Sequence, residues 1–334
     1  MIGPVLIIAA AAAISAVVTY ALLPMLRRHA LAHPNARSSH KQPTPQGGGI
    51  AVIAATVAVS VSIAAFWLRD PVFNPSLGLL LLAVVFVSCV GAVDDVCTIG
   101  VAPRLLLQGL TMLVVIASLP EELRIVPQLP WWIERALLLL AGMWFVNLTN
   151  FMDGIDLMTV VEFVPLTIGV AIVAMLGNLP AYSIAIALAL CGALLGFAPF
   201  NRPVARIFLG DVGSLPIGLL STWLLILIAG AGHLAAALIL PLYYLADATL
   251  TLARRVANRE PFWQAHRTHF YQRATDRGFT VLGIVGRVFA VNAALVALAV
   301  ATVVWPDPLN AAMALATAAA LVGWLLYAFA RGKP

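Results

Sequence analysis

The chain has 334 residues, of which 62% are hydrophobic and only 10% charged, with a formal net charge of +5. A soluble domain of this size could not cover its surface with so few polar side chains, so the composition implies a polytopic membrane protein. The three cysteines, Cys89, Cys97 and Cys191, lack metal-ligand spacing and read as small apolar packing residues.

A helix needs about twenty apolar residues to cross the hydrocarbon of a bilayer. Runs of that order predict an all-α fold of about 11 transmembrane helices, at roughly 2–26, 47–69, 76–93, 103–119, 131–149, 160–177, 180–198, 213–230, 232–252, 281–304 and 309–330. The first run has no Lys or Arg before Arg27 and is too long for the core of a signal peptide, so it reads as a helix that stays attached. Very short breaks at Gly177-Asn178 and at 230–232 separate the middle spans. No repeat or soluble-domain boundary interrupts the chain, which therefore reads as a single integral-membrane domain.

With eleven spans the connections alternate between two faces, and Lys and Arg should favour the cytoplasmic one. All but Arg69, Arg124 and Arg135 of the 19 basic residues fall on one face. This predicts an N-terminus outside and a C-terminus in the cytoplasm, and it makes the positive charge a sign of topology rather than of nucleic-acid binding. The acids sort the same way. Glu121, Glu122, Glu134 and Asp307 fall outside and read as solvated turn positions.

The cytoplasmic acids stand at membrane boundaries beside glycines or polar residues, where charge is a functional signal by default. Asp94 and Asp95 end the third span, and adjacent like charges are costly without a cation or a shared proton. In NLTNFMDGIDLM, Asp153 and Asp156 stand at i and i+3 and would share a helical face, with Asn147 and Asn150 adding amides nearby. Gly210-Asp211-Val212-Gly213-Ser214 puts a carboxylate where a helix begins, with free N–H groups for a phosphate and glycines for close backbone approach. Five carboxylates with asparagine oxygens suit Mg²⁺, with Mn²⁺ as a second choice, and such an ion takes only one or two of them.

Cationic loops complete this face. After the ninth span, His266 and His269 flank Arg267 among further arginines and aromatics, a pattern suited to a polyanion more than to zinc. After the first span, Arg37, Ser38, Ser39, His40 and Lys41 precede a triple glycine that is not a dinucleotide fingerprint. The expected site is thus built from the segments 27–46, 94–102, 150–159, 199–212 and 253–280, the fourth carrying Arg206.

Taken in order, DD after the third span, N-x-x-N-F-M-D-G-I-D, F-L-G-D-x-G-S and H-R-T-H resemble the polyprenyl-phosphate N-acetylhexosamine-1-phosphate transferases, the family of MraY and WecA. PLYYLADATLTLARR is similar to a further family segment and brings Asp247 into the match. The resemblance implies transfer of N-acetylhexosamine 1-phosphate from a UDP-sugar to undecaprenyl phosphate, with release of UMP. It also implies a bacterial inner-membrane enzyme that needs Mg²⁺, held by Asp211 together with Asp153 and Asp95. Asp94 and Asp95 would lie by the lipid phosphate, and Asp156, His266 and His269 would complete the catalytic set. Arg37, His40, Lys41, Asn147, Asn150, Arg206, Gly210, Gly213 and Arg267 would contact the substrates. A homodimer is left open.

The family pattern is not complete. A middle histidine is missing from the H-R-T-H stretch, which looks closest to the WbpL-type branch that initiates O-antigen. Leu157 stands where D-G-I-D-G is common. A secondary transporter would place acids near the midplane and often show a repeat, and neither is found. A UbiA-type prenyltransferase uses D-x-x-x-D, which Asp153-x-x-Asp156 misses by one residue.

Overall fold

The structure is a computed structural model, and it describes residues 3–32, 43–66, 75–261 and 266–333. It is helical almost throughout. Among the described residues thirteen helices run in chain order: α1 (Pro4–His29), α2 (Gly49–Phe66), α3 (Pro75–Cys97), α4 (Val101–Ala117), α5 (Trp131–Met152), α6 (Met158–Leu176), α7 (Ala181–Asn201), α8 (Asp211–Gly230), α9 (Leu234–Ile239), α10 (Leu242–Ala257), α11 (Phe270–Asp276), α12 (Val281–Val304) and α13 (Pro308–Arg331). Two short antiparallel strands, β1 (Leu31–Ala32) and β2 (Thr44–Pro45), join α1 to α2.

Each predicted apolar run is mainly helical over its described residues. Among the described residues, nine helices are long and apolar enough to cross a membrane, and α4 is an apolar helix of 17 residues. The ninth run is not one helix: α9 stops at Ile239 and α10 restarts at Leu242 beside Pro241. A proline lacks the N–H that would continue the ladder and its ring crowds the preceding turn. Inside an apolar bundle the freed N–H groups need acceptors. Glu162 of α6 is buried, and its carboxyl accepts the Asn292 amide of α12 at 2.6 Å.

α8 forms the axis of the bundle. Every residue of it from Val212 to Ala229 is buried, and α2, α3, α5, α6 and α9 pack around it. Large apolar side chains such as Leu106, Leu140 and Trp324 point outward, as a lipid-facing surface permits.

The end of the bundle where α5 begins corrects one expectation. Glu121 and Glu122 are exposed, but Glu134 and Arg135 are buried. The Glu134 carboxylate accepts the Arg124 guanidinium and the N–H groups of Ile125 and Val126. Arg135 donates to the carbonyls of Pro120 (2.6 Å) and Leu123 (3.2 Å) and lies over the Trp131 ring. These residues fold the 118–130 connection rather than solvate it.

Candidate active site

The other end of α5 carries the acids. α8 begins there at Asp211, and Asp95 at the end of α3 caps it. The Asp95 carboxylate accepts the N–H groups of Asp211 (2.8 Å) and Val212 (3.1 Å) and the Gln46 side-chain amide. An acid at a helix N-terminus satisfies orphan donors and meets the positive end of the dipole. Gly210 makes room for it: its φ is +78°, and a Cβ there would lie 2.4 Å from Asp95 Oδ2.

Two expectations change here. The N–H groups of α8 are not free for a phosphate, because Asp95 holds two and the N–H groups of Gly213 and Ser214 both bond to the Gly210 carbonyl (3.0 Å). Gly213 instead lets α8 meet α2, since a Cβ on it would lie 2.7 Å from the Gly49 Cα. Asp95 already accepts three donors, close to the four a carboxylate can take, which makes it a weak metal ligand and a firm positioning residue.

Asp211 faces a different set. Its Oδ1 accepts the Asn150 amide at 2.6 Å, and the same amide reaches Ser214 Oγ at 3.0 Å. Its Oδ2 lies 3.8 Å from Arg104 Nη1, which donates to Asp94 Oδ2 at 3.0 Å. Asp94 also accepts the Ile99 N–H. Arg104 was counted in the sequence only as topological charge. The signal was present: a cation in the first turn of α4 opposes the helix dipole and needs an acid nearby.

The NFMDGID segment is not one helical face. α5 ends at Met152, α6 starts at Met158, and Asp153 and Asp156 lie in the turn between them. Asp153 accepts the Thr159 hydroxyl and is half-buried. Its carboxyl is pushed up to about 7, first by desolvation and then by the charges of Asp95 and Asp156, against the pull of Thr159. Asp156 is buried and accepts the Ala205 N–H at 3.1 Å, which ties the turn to the segment before α8. Leu157, where the family resemblance expects glycine, has φ +63°, and its N–H donates to Asn201 Oδ1 at 2.7 Å. The backbone there keeps the left-handed form that glycine adopts most easily.

A second cap organises the histidines. Asp247 of α10, fully buried, accepts the N–H groups of Phe270 (3.0 Å) and Tyr271 (3.1 Å) at the start of α11, and its Oδ1 lies 3.3 Å from His269 Nδ1. His269 is itself buried and stacks on the half-buried His266, ring centroids 4.9 Å apart. Arg267 turns to Thr275 (3.0 Å) and Asp276 (3.2 Å), so it braces α11. The Tyr271 hydroxyl donates to the Phe151 carbonyl at 3.1 Å, and a Cβ on Gly154 would lie 2.1 Å from that hydroxyl. The histidine segment is thereby pinned to the acid turn.

Other expected contacts fall elsewhere. Asn147 is buried and donates to Gln108 (2.9 Å) and to the Met143 carbonyl (2.8 Å), so it links α4 to α5. Arg206 is exposed on the α7–α8 connection. Arg37, His40 and Lys41 lie outside the described residues.

Among the described residues, no three His, Cys, Asp or Glu side chains form a ready-made metal cluster. The donors at this end are nevertheless all oxygen, and their negative charge exceeds what Arg104 offsets. Such a set fits a hard divalent cation that takes one or two carboxylates and keeps its waters. Asp211 and Asp153 are the carboxylates least committed to backbone donors.

The family described as glycosyl transferase family 4 matches residues 77–229, from α3 to the end of α8. A protein of Bacillus subtilis (strain 168) named as a probable undecaprenyl-phosphate N-acetylglucosaminyl 1-phosphate transferase is 24% identical over 81% of this chain and 80% of its own length. A decaprenyl-phosphate N-acetylglucosaminephosphotransferase of Mycolicibacterium smegmatis is 31% identical over 58% of this chain and 52% of its own. A phospho-N-acetylmuramoyl-pentapeptide-transferase of Streptococcus pneumoniae (strain Hungary19A-6) is 30% identical over 53% and 57%. The chain thus spans little more than half the length of the last two. The matched segment carries Asp94, Asp95, Asn150, Asp153 and Asp211, and over it the chain is similar to the MraY- and WecA-like transferases.

Proposed function

We propose that the chain transfers N-acetylhexosamine 1-phosphate from a UDP-sugar to a polyprenyl phosphate, undecaprenyl phosphate in a bacterial inner membrane. The observation that carries this reading is the meeting of Asp211 with Asn150 and with the Asp94–Arg104 pair at one end of an apolar bundle. A lipid phosphate and a soluble diphosphate can meet only at such a boundary. The basic loops favour the cytoplasmic face for it.

A phosphate oxygen of the lipid attacks the sugar-bearing phosphorus of the donor. The new P–O bond forms as the bond to the bridging oxygen breaks, and UMP leaves. The acceptor is largely ionised near neutral pH, its second pKa being about 6, so it needs alignment more than a base. Arg104 offsets charge beside Asp94. Asp211 and Asp153 would hold Mg²⁺ or Mn²⁺, which when bound neutralises diphosphate charge. Asp95 and Asp247 act through the backbones that they cap.

The H-R-T-H stretch favours the WbpL-type branch, which initiates O-antigen, and the sugar is left to be found by experiment. The test is purified protein with Mg²⁺, undecaprenyl phosphate and a panel of UDP-N-acetylhexosamines, scored for UMP. The expected result is turnover of one or a few sugars. No release with any of them would overturn the reading.

A further inference from the structure

Glu162 takes no part in the chemistry proposed above, yet it is almost fully buried, 1% exposed, in the first half of α6. Asn292 of α12 meets it and is 2% exposed. The Asn292 amide nitrogen donates to Glu162 Oε2 (2.6 Å) and to the Val161 carbonyl (3.1 Å), which uses both of its hydrogens. The two remaining oxygens, Glu162 Oε1 and Asn292 Oδ1, are buried and make no hydrogen bond. One helical turn to either side stand Met158, Leu166, Val288 and Leu295, all buried and apolar.

Among the described residues, no cation answers this acid. α7 and α9 carry no charged side chain, and the charge of α8 is Asp211 at its first position. α12 offers Arg287, which is exposed and donates to the Gly283 carbonyl (2.8 Å). On α10, Asp247 is filled by the start of α11, Arg254 bonds the Thr268 carbonyl (2.8 Å), and Arg255 pairs with Glu260 (2.8 Å). α5 keeps Glu134 and Arg135 at its opposite end. The Tyr243 hydroxyl donates to Asp247 (3.4 Å), and that of Tyr244, which packs on Phe163, makes no hydrogen bond. An ionised carboxyl here would be an unpaired charge in apolar surroundings, the costliest form for a side chain to take.

We infer that Glu162 is held as the neutral acid, with one proton on Oε1 donated to Asn292 Oδ1. That proton supplies the donor that both orphaned oxygens lack, and it closes a ring of two hydrogen bonds between carboxyl and amide. The pair fastens α6 to α12 without putting net charge among apolar helices. Its place gives it a task. Thr159 stands three residues before Glu162, on the same side of α6, and its hydroxyl holds Asp153. Glu162 is thus a positioning residue for the turn of α6 that sets Asp153, a role that rests on the transferase reading.

Infrared spectra of the full-length protein in phosphatidylglycerol vesicles test the proton directly, at about pH 9, well above the ordinary carboxylate range. The difference between the unaltered protein and Glu162→Gln should show the carbonyl stretch of a protonated carboxyl, because the other acids are common to both samples and cancel. A carboxylate band in that difference would overturn the inference. Glu162→Gln keeps a donor for Asn292 Oδ1 and an acceptor for its amide, so UMP release should stay within about twofold. Glu162→Ala strands the amide. It should raise the Mg²⁺ concentration for half-maximal UMP release about fivefold, less than the tenfold or more expected of a group that touches a metal ligand directly. An unchanged Mg²⁺ dependence in the folded Glu162→Ala protein would overturn the positioning role. The acid band in a protein that releases no UMP from any UDP-sugar would keep the pair and sink the transferase reading. Turnover without the band would do the reverse.

Discussion

The two ends of α5 handle buried charge in opposite ways. At its start, Glu134 meets the Arg124 guanidinium and two N–H groups, and Arg135 meets two carbonyls and an aromatic face. At its finish, Asn150 leads into a region where five aspartates gather and Arg104 is the guanidinium that pairs among them. Burial is common to both ends, so burial does not mark the site. What differs is closure. The Glu134 carboxylate is matched by Arg124 and filled by backbone donors, whereas the Asp211 group keeps an excess of negative oxygen that a cation and phosphates can use. Asp247 falls on the complete side, with its carboxylate filled by N–H, hydroxyl and imidazole groups.

The sharpest way to break this contrast is Asp211→Asn. It keeps the shape and removes a charge that has no full partner, so UMP release should fall by about a thousandfold or more, the scale of losing a key electrostatic group. The thermal midpoint should hold or rise. Substantial activity in the folded variant would remove Asp211 from the centre of the site.

Glu134→Ala should act the other way round. It strands the Arg124 guanidinium and two N–H groups, and should cost about 3 kcal/mol of stability in a denaturation series, as for breaking other buried pairs. Turnover per folded molecule should stay near that of the unaltered protein. A loss of turnover at unchanged stability would show that this end takes part in the reaction.

The smallest effect concerns Leu157. A left-handed non-glycine residue costs about 1–2 kcal/mol, and glycine returns about 1 kcal/mol as unfolded-chain entropy. Leu157→Gly should therefore raise stability by roughly 0.5 kcal/mol, read as a small increase in thermal midpoint. A clear decrease would mean that the Leu157 side chain holds more by packing than the backbone loses by strain.

Much of this was legible in the chain. Hydropathy located every long helix, and charge near apolar ends located the cluster. The misreadings share a cause. Pro241 stood in plain sight within an apolar run, but a hydropathy window does not see a missing N–H. Asp153 and Asp156 were read at helical spacing because the end of α5 is set by the turn that Asp156 and Asn201 tie to neighbouring segments. Nothing local says which aspartate of the Asp94-Asp95 pair caps a helix and which meets an arginine. That choice belongs to α8 and α4, which arrive from elsewhere in the chain.

Asp95 has one more consequence. It grips the backbone of Asp211 rather than its side chain, so α3 and α8 share a fixed reference point at the residue where the chemistry is expected. Alignment there is inherited from main chain to main chain and draws little on rotamer choice. Helices can drift, tilt or be repacked by lipid some turns away while the spacing across this joint is conserved, much as a pinned hinge holds its tolerance while the door moves.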